Sequence, residues 1–531
     1  QHQRVLGQGK VMSQFATNTT LPRYLRDEQD KVEKIAKAHG LDFFPVVFEM
    51  LSYDHMNEIA AYGGFPNRYP HWRFGMEYER LSKSYEYGLS KIYEMVINNN
   101  PSYAYLLEGN SLTDQKLVMC HVFGHVDFFK NNFAFRATDL DAGEHIADPV
   151  GRRKEYDPNR RWVDKMANHG SAVRRIVDRY GIHKVEEFVD VCLSLENLID
   201  PWSRFVVRRR ESQTDEEPEQ VEVPRLKSKD YMEEFINPSE YIEEQKKKME
   251  AERELEKGKF PAQREQDVLL FLLENAPLER WERAILSIIR DEGYYFVPQM
   301  QTKIMNEGWA SYWHSKMMTE DVCDWSEIVD YAENNAGVMA TSGGRLNPYK
   351  LGVELYRNIE ERWNKGQFGQ EWEDCDDLDV KKNWDLRLGL GKQKVFEVRA
   401  LYNDVTFIDE FLTPEFAMEN KMFTFNWSNR NERYEIDTRE FQAVKEKLLA
   451  QLTNFGNPSI FVEDANYENR GELLLVHEHR GVDLRSDYAR ETMASLVRVW
   501  KRPVSLATQI DGKKAVLRFD GKEHGVRHDA P

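Results

Sequence analysis

Apolar residues at helical spacing fill two long parts of the chain, residues 21–210 and residues 265–364. Side chains three and four positions apart lie on one side of an α-helix, so this spacing predicts helices with an apolar face. From about residue 395 the pattern changes to short strand-like runs such as SIFVED, GELLLVHEH and KAVLRFD, mixed with two helix-like stretches. Here Asp511 and Gly512 have the composition of a hairpin turn. The sequence therefore predicts a mainly α protein, in which a large helical N-terminal domain is followed by a smaller α+β C-terminal domain.

Changes in composition predict where these domains begin and end. Residues 1–20 form a polar tail, residues 21–394 the mostly helical domain, and residues 395–531 the α+β domain. Inside the helical domain, residues 211–259 carry blocks of charge and few apolar side chains. Such a composition cannot bury enough apolar surface to offset the entropy lost on ordering, so we expect a solvated, charged excursion there.

The charge balance indicates which partners to expect. The net charge is −18, from 73 basic and 91 acidic residues. An acidic surface repels phosphate backbones and anionic lipids, so nucleic acid is not an expected partner. No apolar run approaches the roughly 18 residues that span a bilayer, and the polar first 20 residues lack the apolar segment of a secretory signal. We therefore expect no membrane insertion, while the oligomeric state stays open.

Several chemistries lack their usual sequence signatures. The four cysteines are scattered and form no CxxC pair, which argues against a disulfide framework or a cysteine-rich zinc site and fits a reducing cytoplasm. The chain also has no GxxxxGK[ST] loop, no GxSxG elbow and no GxGxxG after a strand. Nucleotide hydrolysis, serine-hydrolase chemistry and dinucleotide oxidoreduction are therefore not indicated.

The segment SLTDQKLVMCHVFGHVDFFKNN contains the strongest local signal for chemistry. Ser111 and Asp114 have the spacing of a capping box that opens a helix. His121 and His125 stand four residues apart on that helix, so both imidazoles project from one face and can hold a single metal ion. Gly124 costs about 1 kcal/mol relative to alanine in mid-helix, which indicates that another backbone packs closely there. The alternative is a pair of core histidines that are hydrogen-bonded to backbone or carboxylate groups.

A second segment, NEGWASYWH, supplies a carboxylate for the same site. Glu307 and His314 are seven residues apart and share one face of a predicted helix. The segment resembles the gluzincin metallopeptidases, in which a similar helix provides the glutamate that completes a two-histidine zinc site. The resemblance implies Glu307 as third ligand beside His121 and His125, with zinc as the expected divalent metal. Two histidines and one glutamate with an open fourth position are typical of a catalytic zinc site.

The proton-handling group of such a site differs from the gluzincin pattern. Gluzincins have a glutamate directly after the first histidine, and this chain has Val122, which cannot accept a proton. Candidate replacements are His314 and Glu144, the latter from the loop DAGEHIADP, where His145 is also a candidate for a further metal ligand. The alternative for this loop is a surface turn without a role in chemistry.

Longer motifs show a resemblance to a family. They are MNEIAAYGGFPNRYPHWRFGMEYERL, NNNPSYAYLLEGN, HVFGHVDFFKNN, ENLIDPWSRF, MNEGWASYWH and a C-terminal stretch ending near LVRVWKRPVSLAT. Together they resemble the SpoVR (stage V sporulation protein R) family over nearly the whole chain. The resemblance implies a cytoplasmic bacterial protein connected with formation of the peptidoglycan spore cortex or with stationary-phase stress. It also implies a PrkA-type serine kinase and a protein with a von Willebrand-like domain as partners, but no established reaction.

Two functional hypotheses follow. In the first, the chain is a metal-dependent, hydrolase-like protein that acts on an amide bond in a peptide or peptidoglycan fragment. In the second, it is a non-catalytic regulatory or scaffold protein that acts with the kinase, and the same helices hold a structural metal or a buried network of histidine and glutamate.

Overall fold

The computed structural model describes residues 21–86, 94–139, 161–205, 238–256, 259–339, 347–428 and 433–528. The predicted polar tail and much of the predicted charged excursion lie outside these ranges. The helices are α1 Arg23–Ala38, α2 Tyr53–Ala61, α3 Trp72–Glu86, α4 Leu112–Asn131, α5 Trp162–Tyr180, α6 Ile182–Ser194, α7 Ser239–Glu256, α8 Val268–Asn275, α9 Arg280–Gln301, α10 Lys303–Met317, α11 Ile328–Met339, α12 Pro348–Lys365, α13 Gln370–Glu373, α14 Leu378–Lys382, α15 Gly391–Leu401, α16 Asp404–Phe411, α17 Pro414–Glu419, α18 Phe441–Leu452 and α19 Ser486–Trp500. The strands are β1 Val46–Leu51, β2 Glu94–Ile97, β3 Ser102–Leu107, β4 Thr424–Ser428, β5 Arg433–Thr438, β6 Ile460–Tyr467, β7 Glu472–His477, β8 Val504–Ile510, β9 Lys513–Phe519 and β10 His524–His528.

This order of elements confirms the predicted fold class. Helices dominate as far as α17, and most of the strands follow near the C-terminus together with α18 and α19. In the part of the chain that the structure describes, no helix is both long and apolar enough to cross a bilayer.

The chain divides into two compact units. The first contains residues 1–182 and 294–456, and the second contains residues 183–293 and 457–531. The boundary that composition predicted between residues 394 and 395 falls inside the first unit. Side chains of α15 and α16 are the reason, because Val395, Val398, Phe407 and Ile408 are fully buried in the core of that unit.

The centre of the first unit is α4. Ser111 begins it with the predicted capping box, in which the Ser111 hydroxyl accepts from the Asp114 backbone N–H and the Asp114 carboxylate accepts from the Ser111 N–H. Every residue from Thr113 to Phe129 is buried except Leu117. A helix that is buried on all sides must be packed on all sides. The three-stranded sheet, in the order β1-β3-β2, lies at its start, where the Gln115 side chain donates to the Leu107 carbonyl over 2.7 Å.

Two close backbone contacts clamp α10 between α4 and α12. A Cβ added to Gly124 would lie 2.7 Å from Ala310 Cα, so the close approach that Gly124 predicted is present. On the other side of α10, a Cβ on Gly308 would lie 2.5 Å from Gly352 Cα. Helices that approach this closely leave no room for side chains at the crossing. The position of α10 along α4 is therefore tightly determined.

The second unit is built on a five-stranded sheet in the order β10-β9-β8-β7-β6. Strands β7 and β8 are parallel, which requires a crossover, and α19 lies in the connection between them. Strands β8 and β9 form the predicted hairpin with its turn at Asp511 and Gly512. Both turn residues have positive φ, 50° and 75°, as the tight turns of two-residue hairpins require.

Candidate metal centre

The first half of the candidate site is the face of α4 that meets α10. His121 and His125 are 3% and 5% exposed, and their ring centroids lie 4.5 Å apart. One turn of helix separates them, so both imidazoles point toward the same neighbour. Two adjacent buried imidazoles need defined hydrogen-bond partners or a metal ion.

The second half comes from α10. Glu307 Oε2 lies 3.4 Å from His125 Nε2 and 3.7 Å from His121 Nε2. A tetrahedral zinc ion with bonds of about 2.0–2.2 Å keeps its ligand atoms about 3.3–3.6 Å apart. The spacing of these atoms therefore fits a single zinc ion with little movement. The structure brings the three predicted ligands together, and the binding of a metal stays a prediction.

The outer nitrogens of both histidines have their own partners. His125 Nδ1 lies 3.0 Å from Asn306 Oδ1, so it donates to an oxygen that can only accept. His121 Nδ1 lies 2.8 Å from His314 Nδ1, and His314 Nε2 lies 3.3 Å from Asn335 Oδ1 on α11. Metal-binding histidines commonly have their second ring nitrogen held by such groups, which orient the ring.

The electrostatics favour an ionised Glu307 and a neutral His314. Burial opposes ionisation of Glu307, but the adjacent imidazoles of His121 and His125 outweigh it and hold the pKa of this carboxyl well below its usual range. Burial, together with the adjacent His121, lowers the pKa of His314 well below that of a free imidazole. The centre therefore combines an anionic carboxylate with a neutral imidazole at His314.

Asp404, at the start of α16, holds the beginning of α10 and was not found from the sequence. Its buried carboxylate accepts from the backbone N–H groups of Ile304 at 2.8 Å and Met305 at 2.9 Å. The first N–H groups of a helix have no partner within the helix, and a carboxylate placed there satisfies them. Burial raises the pKa of Asp404 to about 7. This contact fixes the start of α10, and with it the position along the helix axis of Glu307, one turn further on.

The structure also shows why α4 supplies no catalytic carboxylate. Val122 is fully buried in the apolar core. The next carboxylate on α4, Asp127, accepts from Trp309 Nε1 at 2.8 Å, from Arg399 at 2.7 Å and from the Asp42 backbone N–H at 2.7 Å. It is therefore a structural carboxylate.

The remaining candidates have separate outcomes. Glu144 and His145 lie outside the described residues. His314 does lie at the centre, against the outer nitrogen of His121, and its role in proton transfer stays a prediction.

Among the described residues a second group with metal-type side chains occurs at the surface, where His39 Nε2 lies 2.8 Å from Asp321 Oδ2. Sequence reasoning missed three residues that contact the site or its helices: Asn306, Asn335 and Asp404. Asn306 could have been found because it directly precedes Glu307, whereas no nearby motif points to Asn335 or Asp404.

Comparison with known families covers nearly the whole chain. The family described as SpoVR like protein matches residues 20–457, and the SpoVR-like C-terminal domain matches residues 458–511. The chain belongs to the SpoVR family. Both helices of the candidate metal centre lie inside the first match, so the centre is part of the SpoVR region itself.

A relative of this SpoVR chain is known from Escherichia coli (strain K12). It has the name "Uncharacterized protein YcgB" and is 28% identical over 525 residues, which cover 90% of each chain. No solved structure matches. The likeness therefore supports the family and adds no reaction.

Proposed function

We propose that this SpoVR chain binds zinc, or another divalent ion, through His121, His125 and Glu307, and that it is a metal-dependent hydrolase-like protein. The observation that supports this is the convergence of three ligand-type atoms from two helices that are distant in sequence, each ligand atom within 4.8 Å of the others. The substrate class is an amide bond in a peptide or a peptidoglycan fragment, in keeping with the sporulation or stationary-phase setting that the family resemblance implies. The setting is the cytoplasm.

The three proposed ligands differ in the exposure of their side chains. The two histidine side chains are 4% and 6% exposed, whereas that of Glu307 is 19% exposed. Its Oε2 atom, which faces the histidines, is nevertheless buried, so the part of Glu307 that solvent reaches lies on the side away from them. A divalent ion at this place supplies Lewis-acid activation of a water molecule. The chain would hold the ion, shield the histidine side from bulk water, and take its base from outside α4. His314 and Glu144 are the candidate bases, and His145 is a candidate further ligand.

Val122 favours a second candidate function. Because the usual position of the helix glutamate is apolar and fully buried, the same centre fits a structural metal in a regulatory or scaffold protein. In that proposal the partners are a PrkA-type serine kinase and a protein with a von Willebrand-like domain.

Metal content tests the centre directly. The purified full chain, loaded with zinc and freed of excess ion, is expected to retain a single tightly held zinc ion, measured by elemental analysis. His125→Ala and Glu307→Gln are expected to lose it, since each removes one of three protein ligands. His477→Ala is the matched control, because it removes a similarly buried imidazole that contacts Thr508 in the second unit. Zinc-free wild-type protein, or equal zinc in Glu307→Gln and the control, would contradict the centre.

Hydrolysis separates the two candidate functions. The zinc-loaded wild type is expected to cleave amide bonds in a panel of peptides and peptidoglycan fragments, and Glu307→Gln to be inactive on the same substrates. A wild type that holds zinc and cleaves none of them favours the scaffold.

A further inference from the structure

A line of hydrogen-bonding groups leads from the candidate centre to α11. It begins at His121 on α4, passes through His314 on α10 and ends at the side-chain amide of Asn335, with separations of 2.8 Å and 3.3 Å. His121 and His314 are each 3% exposed, so bulk water does not substitute for these contacts. None of the roles proposed above involves Asn335.

Counting hydrogens along this line determines the tautomer of His121. The amide oxygen of Asn335 only accepts, so His314 Nε2 must donate to it. A neutral His314 then has a bare Nδ1, which accepts from the Nδ1–H of His121. His121 therefore carries its proton on Nδ1 and presents the lone pair of Nε2 toward Glu307. That is the tautomer in which an imidazole binds a metal through Nε2.

Reversing the amide of Asn335 reverses every bond in the line. The amide NH2 group then donates to His314 Nε2, His314 Nδ1–H donates to His121 Nδ1, and the proton of His121 moves to Nε2. That proton points at the Glu307 carboxylate. The distance from His121 Nε2 to Glu307 Oε2 is 3.7 Å. In this second arrangement an N–H group of His121 faces the Glu307 carboxylate at the place of the metal, and the same residues form a metal-free polar network.

We infer that His314 and Asn335 are positioning residues for the metal centre, and that the orientation of the Asn335 amide selects between a metal-ready and a metal-free state of His121. The inference rests on the proposed metal centre and adds its regulation. Because Asn335 belongs to α11, a movement of this helix that reverses the amide or breaks its contact with His314 would change the tautomer of His121, although Asn335 does not contact His121. Zinc affinity is then under the control of a helix that contributes no ligand.

Substitutions of Asn335 test this with zinc alone, measured as a dissociation constant by competition with a chromophoric chelator. Asn335→Leu removes the acceptor and is expected to weaken zinc binding about tenfold or more, as losses of such outer partners do. Asn335→Asp provides oxygens that only accept, so it holds the line in its metal-ready direction and is expected to bind zinc at least as tightly as wild type. Ala336→Asp is the control, because it adds the same charge at the next position, which is exposed.

The outcomes divide clearly. Rescue by aspartate but not by leucine, with little change in the Ala336→Asp control, supports the inference. Equal weakening in both Asn335 variants shows a merely structural asparagine and overturns it, as does wild-type affinity in both. If Asn335→Leu fails to fold, Asn335→Asp decides: zinc affinity equal to or above that of wild type supports the inference, and affinity below that of Ala336→Asp overturns it. A wild type without zinc overturns the proposed centre and this inference with it.

Discussion

Replacing Gly308 with alanine is expected to lower the free energy of unfolding by about 3 kcal/mol, the upper end of the usual cost of overpacking. The added Cβ would lie 2.5 Å from Gly352 Cα and 2.6 Å from the Gly352 carbonyl carbon. Both are backbone atoms, so no side-chain rotation relieves the overlap and α10 must move away from α12. Alanine gains about 1 kcal/mol over glycine in helix propensity, which is too little to compensate.

The same substitution should also disturb the metal centre. Glu307 directly precedes Gly308, and a shift of α10 moves its carboxylate relative to His121 and His125. We therefore expect Gly308→Ala to lower zinc content together with stability, measured by urea unfolding and elemental analysis. Gly337→Ala is the matched control, because a Cβ there meets no atom within 4 Å and gains about 0.5 kcal/mol or more from propensity. Equal stability of the two variants would refute the tight crossing of α10 and α12.

Arg399→Ala is expected to be similarly damaging, at about 3–5 kcal/mol near pH 8, because it leaves a buried carboxylate without its cation. The Arg399 guanidinium donates to Asp127 Oδ2 over 2.7 Å, and the two side chains are 10% and 0% exposed. Arg399 also lies over the Trp309 ring at 5.5 Å, so packing is lost along with charge. Urea unfolding of the full chain measures the loss.

The pH dependence of this loss has a definite sign. Burial raises the pKa of Asp127 to about 6, although Arg399 opposes that rise. Without Arg399 the folded-state pKa of Asp127 rises further, and a carboxyl with a raised pKa loses stability as pH increases through that pKa. The deficit of Arg399→Ala relative to wild type should therefore be smallest below pH 6. It should grow by about 1.4 kcal/mol per pH unit above that until the variant's own pKa is passed.

Arg357→Ala serves as the control for Arg399→Ala. Arg357 pairs with Glu354 on the surface of α12, and its side chain is 48% exposed. Exposed ion pairs contribute about 0.2–1 kcal/mol, so a small, nearly pH-independent change is expected. If the stability deficit of Arg399→Ala shrinks as pH rises from 6 to 8, the ionisation of Asp127 is not the cause of the deficit.

Local sequence patterns were sufficient wherever the interaction itself is local. The capping box needs only Ser111 and Asp114, the shared face needs only the four-residue step from His121 to His125, and the hairpin needs only the turn at Asp511 and Gly512. Helical spacing likewise established the fold class, because an apolar face is a property of consecutive residues. The unfavourable helix propensity of Gly124 indicated that another backbone packs closely against it, but not which helix supplies that backbone.

Contacts between residues distant in sequence decided how the site is positioned. Asp404 lies about a hundred positions from the helix it caps, Arg399 pairs with a carboxylate on α4, and Asn335 contacts His314, which contacts His121. None of these pairs leaves a mark in local spacing, because hydrogen bonds and ion pairs depend on where the backbone places two groups in space. The sequence by itself determined that two candidate ligands, His121 and His125, share one face of a helix and that a third, Glu307, lies on another helix. Only the packing of α4, α10 and α12 placed their atoms within reach of a single ion, since glycine contacts at two crossings set the separation of those helices.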